Sequence, residues 1–203
     1  MSIELHPSKP TEVAIAVPLI YSSGPDAFEF VFKNSKVSAI DFLKYAFVKE
    51  GGEFSYDNHY SLYQGDNMVG IGSVFDTKKA ATFTKYDGLN ILKFYGLKSL
   101  GTIRRGLQVE PIIQLPKTNE IVIAHLGIQP ALRGQGLGTH LINSLMKKSN
   151  NKEDSRFILD VSEENPKAKK LYDRLGFITT KKNLSNLRNK FSYVPNHFRM
   201  ELK

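Results

Sequence analysis

One junction constrains this chain more than any other stretch. An apolar run of strand length, Ile121 to Ile128, closes at Pro130 and passes through Arg133-Gly-Gln-Gly-Leu-Gly138 straight into a helix. The run is nearly unbroken by polar residues, which suits a central strand covered on both faces. The helix carries Leu137, Leu141 and Leu145 on one stripe, with Ile142 and Met146 beside it. Lys147 and Lys148 fall in its last turn, where cations complement the dipole, and Ser149-Asn150-Asn151 breaks it. A glycine-rich turn between a strand and a helix makes an anion site. The first helical N–H groups have no intrahelical partner, and the helix dipole adds partial positive charge beside them. Gly134, Gly136 and Gly138 allow a backbone path and close approach that side chains block, and Arg133 adds a formal charge. The ligand implied is a phosphate or pyrophosphate.

Two familiar phosphate loops fit poorly. A P-loop needs a lysine after its last glycine, whereas Thr139-His140 follow Gly138. A dinucleotide fingerprint starting at Gly134 has Thr139 at its third glycine position, although Asp160 stands where a ribose-binding acid belongs. Residues 129 to 133 also separate the strand from the first glycine, and the dinucleotide turn follows its strand directly.

Downstream, Phe157 to Val161 reads as a strand. Asn165-Pro166 then supplies an N-cap and a proline at the first position of a helix reaching Leu175, which Gly176 ends. Phe177 to Thr180 and Phe198 to Leu202 read as strands. Upstream, the spacing of Val37, Ile40, Leu43, Ala46 and Phe47 predicts an amphipathic helix over 37–48, ended by Gly51-Gly52. Tyr60 to Gln64 and Met68 to Phe75 flank a polar turn and predict a hairpin. Residues 80–115 are mixed in pattern and partly helical. The whole is an α/β organisation.

Resemblance narrows the ligand. Arg133-x-x-Gly136-x-Gly138, together with strand Phe157-Ile-Leu-Asp-Val161 and Asn165-Pro-Lys-Ala-Lys-Lys-Leu-Tyr-Asp-Arg-Leu-Gly-Phe177, resembles the paired signature of the GNAT superfamily of acetyl-CoA-dependent N-acetyltransferases. It is strong over residues 121–177, looser before them, and residues 80–115 exceed the usual pattern as an insertion. The hairpin with Val69-Gly70-Ile71-Gly72 is similar to the family's second and third strands, and the 37–48 helix would be its first helix. What the resemblance implies is a single domain over 1–203, with a mixed, twisted, mostly antiparallel sheet flanked by helices. Acetyl-CoA would lie between two splayed central strands. Backbone groups of Leu126 and Ile128 would meet its pantetheine. The N–H groups of Arg133, Gly134, Gln135, Gly136, Leu137, Gly138 and Thr139 would hold its pyrophosphate, and Asn165 and Ala168 would line its far side.

The resemblance also makes Tyr172 the general acid that protonates the departing CoA thiolate. It lies four residues after Ala168 and so on the same helix face. A phenol with an ordinary pKa near 10 suits a thiolate leaving group. Two residues compete for the base that must deprotonate the incoming amine. Glu120 opens the central strand, at a position where some histone-modifying relatives carry a carboxylate base. His125 stands within that strand, and imidazole titrates where a base is needed. Two-residue alternation sets His125 opposite Leu126 and Glu120 unless a bulge intervenes.

Composition prunes the remaining classes. With no cysteine, a disulfide scaffold, a thiolate-zinc site and an acyl-cysteine intermediate are excluded, so acetyl transfer is expected to be direct. The five histidines show no metal-ligand spacing, so no metal is expected. The formal charge of +8 is dispersed in small clusters without a nucleic-acid motif, so no specific nucleic-acid partner is expected. The apolar run from Val13 to Ile20 is interrupted by Pro18 and too short to span a membrane, and a cytoplasmic monomer or homodimer is expected. The acceptor is an amine of unidentified class. A non-catalytic acetyl-CoA-binding regulatory module is the rival reading, and an intact Tyr172 argues against it.

Overall fold

The computed structural model describes residues 2–149 and 154–203, so the helix break at Asn150-Asn151 lies outside the described residues. Seven strands form one sheet in the order β1-β2-β3-β4-β5-β7-β6. They are β1 (Ile3–Pro7), β2 (Tyr60–Gln64), β3 (Asn67–Asp76), β4 (Glu120–Ile128), β5 (Arg156–Ser162), β6 (Phe177–Asn183) and β7 (His197–Leu202). Every neighbouring pair is antiparallel except β4 with β5. The expected mixed, mostly antiparallel sheet is present.

Helices α6 (Leu137–Lys148) and α7 (Pro166–Arg174) pack on one face. There Leu137, Leu141, Ile142 and Leu145 join Ile121, Ile123, Leu159 and Met200 in one buried cluster. The apolar stripe read from the sequence is the stripe that is buried. The other face carries α1 (Val13–Ser22), α2 (Pro25–Phe32), α3 (Ala39–Phe47), α4 (Thr77–Tyr95) and α5 (Ser99–Val109). Their aromatic core includes Phe28, Phe32, Phe42, Phe47 and Phe54. Phe83 and Ala80 of α4 bury Phe75, Val122 and Ile158 of the sheet.

One sequence expectation needs correction, and another gains detail. The helix predicted over 37–48 is the third helix, because α1 and α2 precede it. Helix α1 escaped the pattern because its apolar residues run on without a polar face and Pro18 sits inside it. Proline removes one i→i−4 bond there, and burial of Ala16, Val17, Leu19 and Ile20 outweighs the loss. Residues 80–115, predicted as partly helical, are two helices divided at Gly96, whose φ of 54° few other residues tolerate.

Helix α1 reaches the centre of the sheet through one gap. A Cβ placed on Gly127 of β4 would lie 2.4 Å from the carbonyl oxygen of Leu19. Only glycine lets the helix backbone rest on the strand backbone, and this contact fixes the far end of β4 against the helical face.

Candidate active site

Strands β4 and β5 pair only at Glu120 with Arg156, Ile121 with Phe157 and Val122 with Ile158. Beyond that point β4 runs on to Ile128 and β5 to Ser162 without pairing to each other. Their facing backbone edges therefore lack ladder partners, which is the condition for a ligand chain to lie between them. A bulge on the other side of β4 helps to part them. Ser73 pairs with Ala124 and Ile71 with Gly127, so His125 and Leu126 together oppose Gly72. His125 takes φ 54°, outside the usual range for a residue with a Cβ. An extra residue bends a strand and turns the side chains after it to the other face. Leu126 and Ile128 consequently pack with the α6 cluster, while His125 turns toward α2, on the face that holds Val122.

The glycine turn closes the wide end of this opening. Gly134 and Gly136 have φ of 81° and 82°, and a Cβ on either meets nothing within 4 Å, so these positions border open space. Gly136 is the N-cap of α6 and supplies no side-chain cap, leaving the first-turn amides of Leu137, Gly138 and Thr139 without an intrahelical acceptor. The Leu137 side chain is buried in the core, and only its backbone faces the turn. Gly138 serves the packing of α6 on α7, since a Cβ there would come within 3.0 Å of Leu171. Arg133 Nε donates to the carbonyl of Ile128 at 3.1 Å, tying the turn to the end of β4, and Gln135 is exposed. These features fit a phosphate-bearing ligand with an extended arm. Asn165 caps α7, its Oδ1 accepting from the Ala168 amide at 3.1 Å.

Tyr172 lies on α7, 8% exposed in the cluster that holds Leu137 and Leu159, with its ring edge against Phe177. Its hydroxyl has no hydrogen-bond partner among the described residues. Burial pushes its pKa up to about 12, so it keeps its proton at any physiological pH.

The two candidate bases sit in different settings. Glu120 stands at the closed end of the β4–β5 pair and is buried. It accepts from Arg199 Nη2 at 2.6 Å and from the Lys117 amide at 2.9 Å, and Arg156 lies 3.8 Å away. Burial alone would raise its carboxyl, but the Lys117 amide, Arg199 and Arg156 together hold it below the usual carboxylate range. Arg199 also donates to Asp160 at 2.8 Å. Burial pushes Asp160 up to about 6 against that pull. The acid that a dinucleotide reading would use on a ribose is therefore committed to an ion pair. Five residues of extended strand, roughly 16 Å, separate Glu120 from His125, so the two cannot serve one reacting atom.

His125 faces the helical side beside the opening. Its ring stacks on His59 with centroids 5.2 Å apart, and its Nδ1 lies 3.0 Å from His59 Nε2. Its Nε2 lies 3.5 Å from Glu53 Oε1, and Phe54 and Phe28 wall the ring. The Glu53 amide donates to both oxygens of Asp87 at 3.1 Å, and burial raises the Asp87 carboxyl to about 8. His59, Glu53 and Asp87 carried no sequence signal, because Glu53 and His59 come from the connection between α3 and β2 and Asp87 from α4, and none belongs to a motif. Among the described residues no group of three or more His, Asp or Glu is placed to hold a metal ion.

The sequence matches the acetyltransferase (GNAT) family over residues 40–177. Comparison with curated proteins gives no significant match. Among solved structures, an N-acetyltransferase from Staphylococcus aureus Mu50 is similar with a TM-score of 0.70 and 18% identity, covering 98% of this chain and all of that one. A spermidine N-acetyltransferase chimera involving Vibrio cholerae has a TM-score of 0.57 at 15% identity, over all of this chain and 95% of that one. A Salmonella typhimurium protein described as an acetyltransferase, with its cofactor acetyl-CoA, has a TM-score of 0.56 at 12% identity, over all of this chain and 94% of that one.

Proposed function

Because the chain belongs to the acetyltransferase (GNAT) family, we propose that it is a cytoplasmic N-acetyltransferase that moves acetyl from acetyl-CoA directly to a primary amine. The observation that carries this reading is the parting of β4 and β5 after three paired positions, in front of an uncapped helix N-terminus. Acetyl-CoA supplies the thioester. Backbone groups of Leu126 and Ile128 bind its pantetheine, and the amides from Arg133 to Thr139 bind its pyrophosphate. The turn between β5 and α7, at Asn165 and Ala168, lines the far side.

Transfer forms one amide bond and breaks one carbon–sulfur bond. The attacking nitrogen must lose a proton, and the leaving sulfur must gain one. Tyr172, held protonated by burial, is the donor to sulfur. His125, on the bulge at the mouth of the opening, is the acceptor of the amine's proton. Glu120 takes no part in proton transfer, since its carboxylate is spent on Arg199 at the closed end of the strands. No cysteine is present to carry the acetyl group, so nothing on the chain offers a thioester intermediate.

The test is an amine panel with free CoA as the readout, run beside Gly136→Glu. The expected result is amine-dependent CoA release, abolished in the variant because a carboxylate enters the pyrophosphate site. A folded Gly136→Glu protein that still binds acetyl-CoA tightly overturns the site. Tight binding by the wild type without release on any amine makes it a non-catalytic acetyl-CoA-binding module.

A further inference from the structure

We propose that His59 is a positioning residue that fixes the tautomer of His125, so that Nε2 carries the free lone pair beside Glu53. The inference rests on the reading of His125 as the base and specifies how that base is kept ready.

The geometry leaves little freedom. His59 Nδ1 lies 2.8 Å from the carbonyl oxygen of Ser55, which can only accept, so Nδ1 carries a hydrogen. His59 is 1% exposed, and burial, helped by His125, pushes its pKa down to about 3. It is therefore neutral, and its Nε2 has a lone pair. His125 Nδ1, 3.0 Å from that lone pair, must be the donor. A neutral His125 has one ring hydrogen, and His59 places it on Nδ1. Its Nε2 is then bare and able to take a proton. A histidine without such a partner populates both tautomers, and the Nε2–H form carries its lone pair on Nδ1, away from Glu53.

The surroundings agree with that assignment. Glu53 Oε1, 3.5 Å away, makes no hydrogen bond to a bare nitrogen, since both are acceptors, and becomes the counter-charge once Nε2 gains a hydrogen. Asp87 of α4 lies behind Glu53 and anchors its backbone. Lys79, also on α4, acts electrostatically on His59, and α2 offers His125 only the ring of Phe28. The hydrogen bond to His59 also steadies a backbone held at positive φ. A strained residue that is held from two sides is what a positioned base requires.

The experiment reads the ring nitrogens directly, by 15N chemical shifts of histidine-labelled protein, alongside acetylation kinetics. In the wild type, neutral His125 is expected to show a protonated Nδ1 and a bare Nε2. His59→Phe keeps a ring but no acceptor, and should give mixed tautomers with kcat/KM lowered about ten- to a hundredfold. Acetyl-CoA affinity should stay within about twofold, since neither residue touches the pyrophosphate turn. His59→Gln restores an acceptor oxygen and should recover most of the rate. A wild-type spectrum with hydrogen on Nε2 overturns the proposal even if no variant folds. So does an unchanged tautomer and rate in His59→Phe. A locked tautomer with an unaltered pH–rate profile in His125→Asn sinks the base assignment and the positioning role with it. A mixed tautomer in the wild type with an altered His125→Asn profile sinks the positioning role alone.

Discussion

The two ends of the β4–β5 pair are made of the same strands and do opposite things. At the closed end, three backbone pairs hold the strands together and Arg199 of β7 bridges Glu120 of β4 to Asp160 of β5. At the open end, the bulge at His125 and the seat of α1 on Gly127 carry β4 away, and backbone hydrogen bonds are left for a ligand to complete. The closed end carries its charges buried and paired. The open end leaves the first-turn amides of α6 and the Tyr172 hydroxyl without such partners. Strands can be parted in the middle of a sheet only when something holds them firmly elsewhere, and here three backbone pairs and one arginine share that task.

The largest expected effect breaks the closed end. Arg199→Met strands two buried carboxylates, and removing one partner of a buried ion pair costs about 3–5 kcal/mol. Denaturant unfolding should show a loss of that order. A loss below about 1 kcal/mol would mean that backbone pairing alone holds the strands.

Next comes the open end. Tyr172→Phe should lower turnover by about ten- to a thousandfold while acetyl-CoA affinity stays nearly constant. Because burial holds the phenol protonated, this loss should be flat from about pH 6 to 9. Full turnover in the variant, with chemistry rate-limiting, assigns the proton to another donor.

The smallest effect sharpens the contrast. Glu120→Gln keeps the shape of the side chain but drops its charge, and should cost about 1–3 kcal/mol of stability. The shape of the pH–rate profile should not change with His125 as the proposed base; a flattened profile would restore Glu120 to that role. The sign of its pH effect follows from its depressed pKa. A carboxyl held below its unfolded value of about 4.3 contributes stability above that pH and loses it as pH falls through the folded value. Asp160, raised to about 6 with its Oδ1 unpartnered, has the opposite sign: its contribution fades as pH rises from about 3.9 through about 6. One arginine thus serves two carboxylates with contrary pH dependence, and Glu120→Gln should remove the loss on the acid side and also ease the rise in Asp160, which the Glu120 charge helps to raise.

Legibility in the sequence followed the range of the interactions. The turn at 133–138, the Asn165 cap and the hairpin turn at Gly65 are local devices and stand in the structure where the residues put them. The splay was legible only through resemblance, because it depends on which hydrogen bonds are not made. Glu120 read as a possible base because its partner Arg199 lies 79 residues away. Alternation put His125 and Glu120 on opposite faces, and the bulge, which shows in register and dihedrals alone, puts both on one. His59 is 66 residues from His125 and belongs to no motif, so nothing before the fold connected them.

The order of the sheet differs from the order of synthesis. Strand β7 is made after the six others yet lies between β5 and β6, so β6 emerges from the ribosome before its partner exists. Until residues 197–202 arrive, β5 has an open edge, Asp160 has no guanidinium and Glu120 has that of Arg156 alone. A nascent chain halted after β6 therefore holds the glycine turn and Tyr172 but lacks the strand that closes the sheet. Long-range closure of this kind slows folding and leaves the growing chain dependent on protection of that edge.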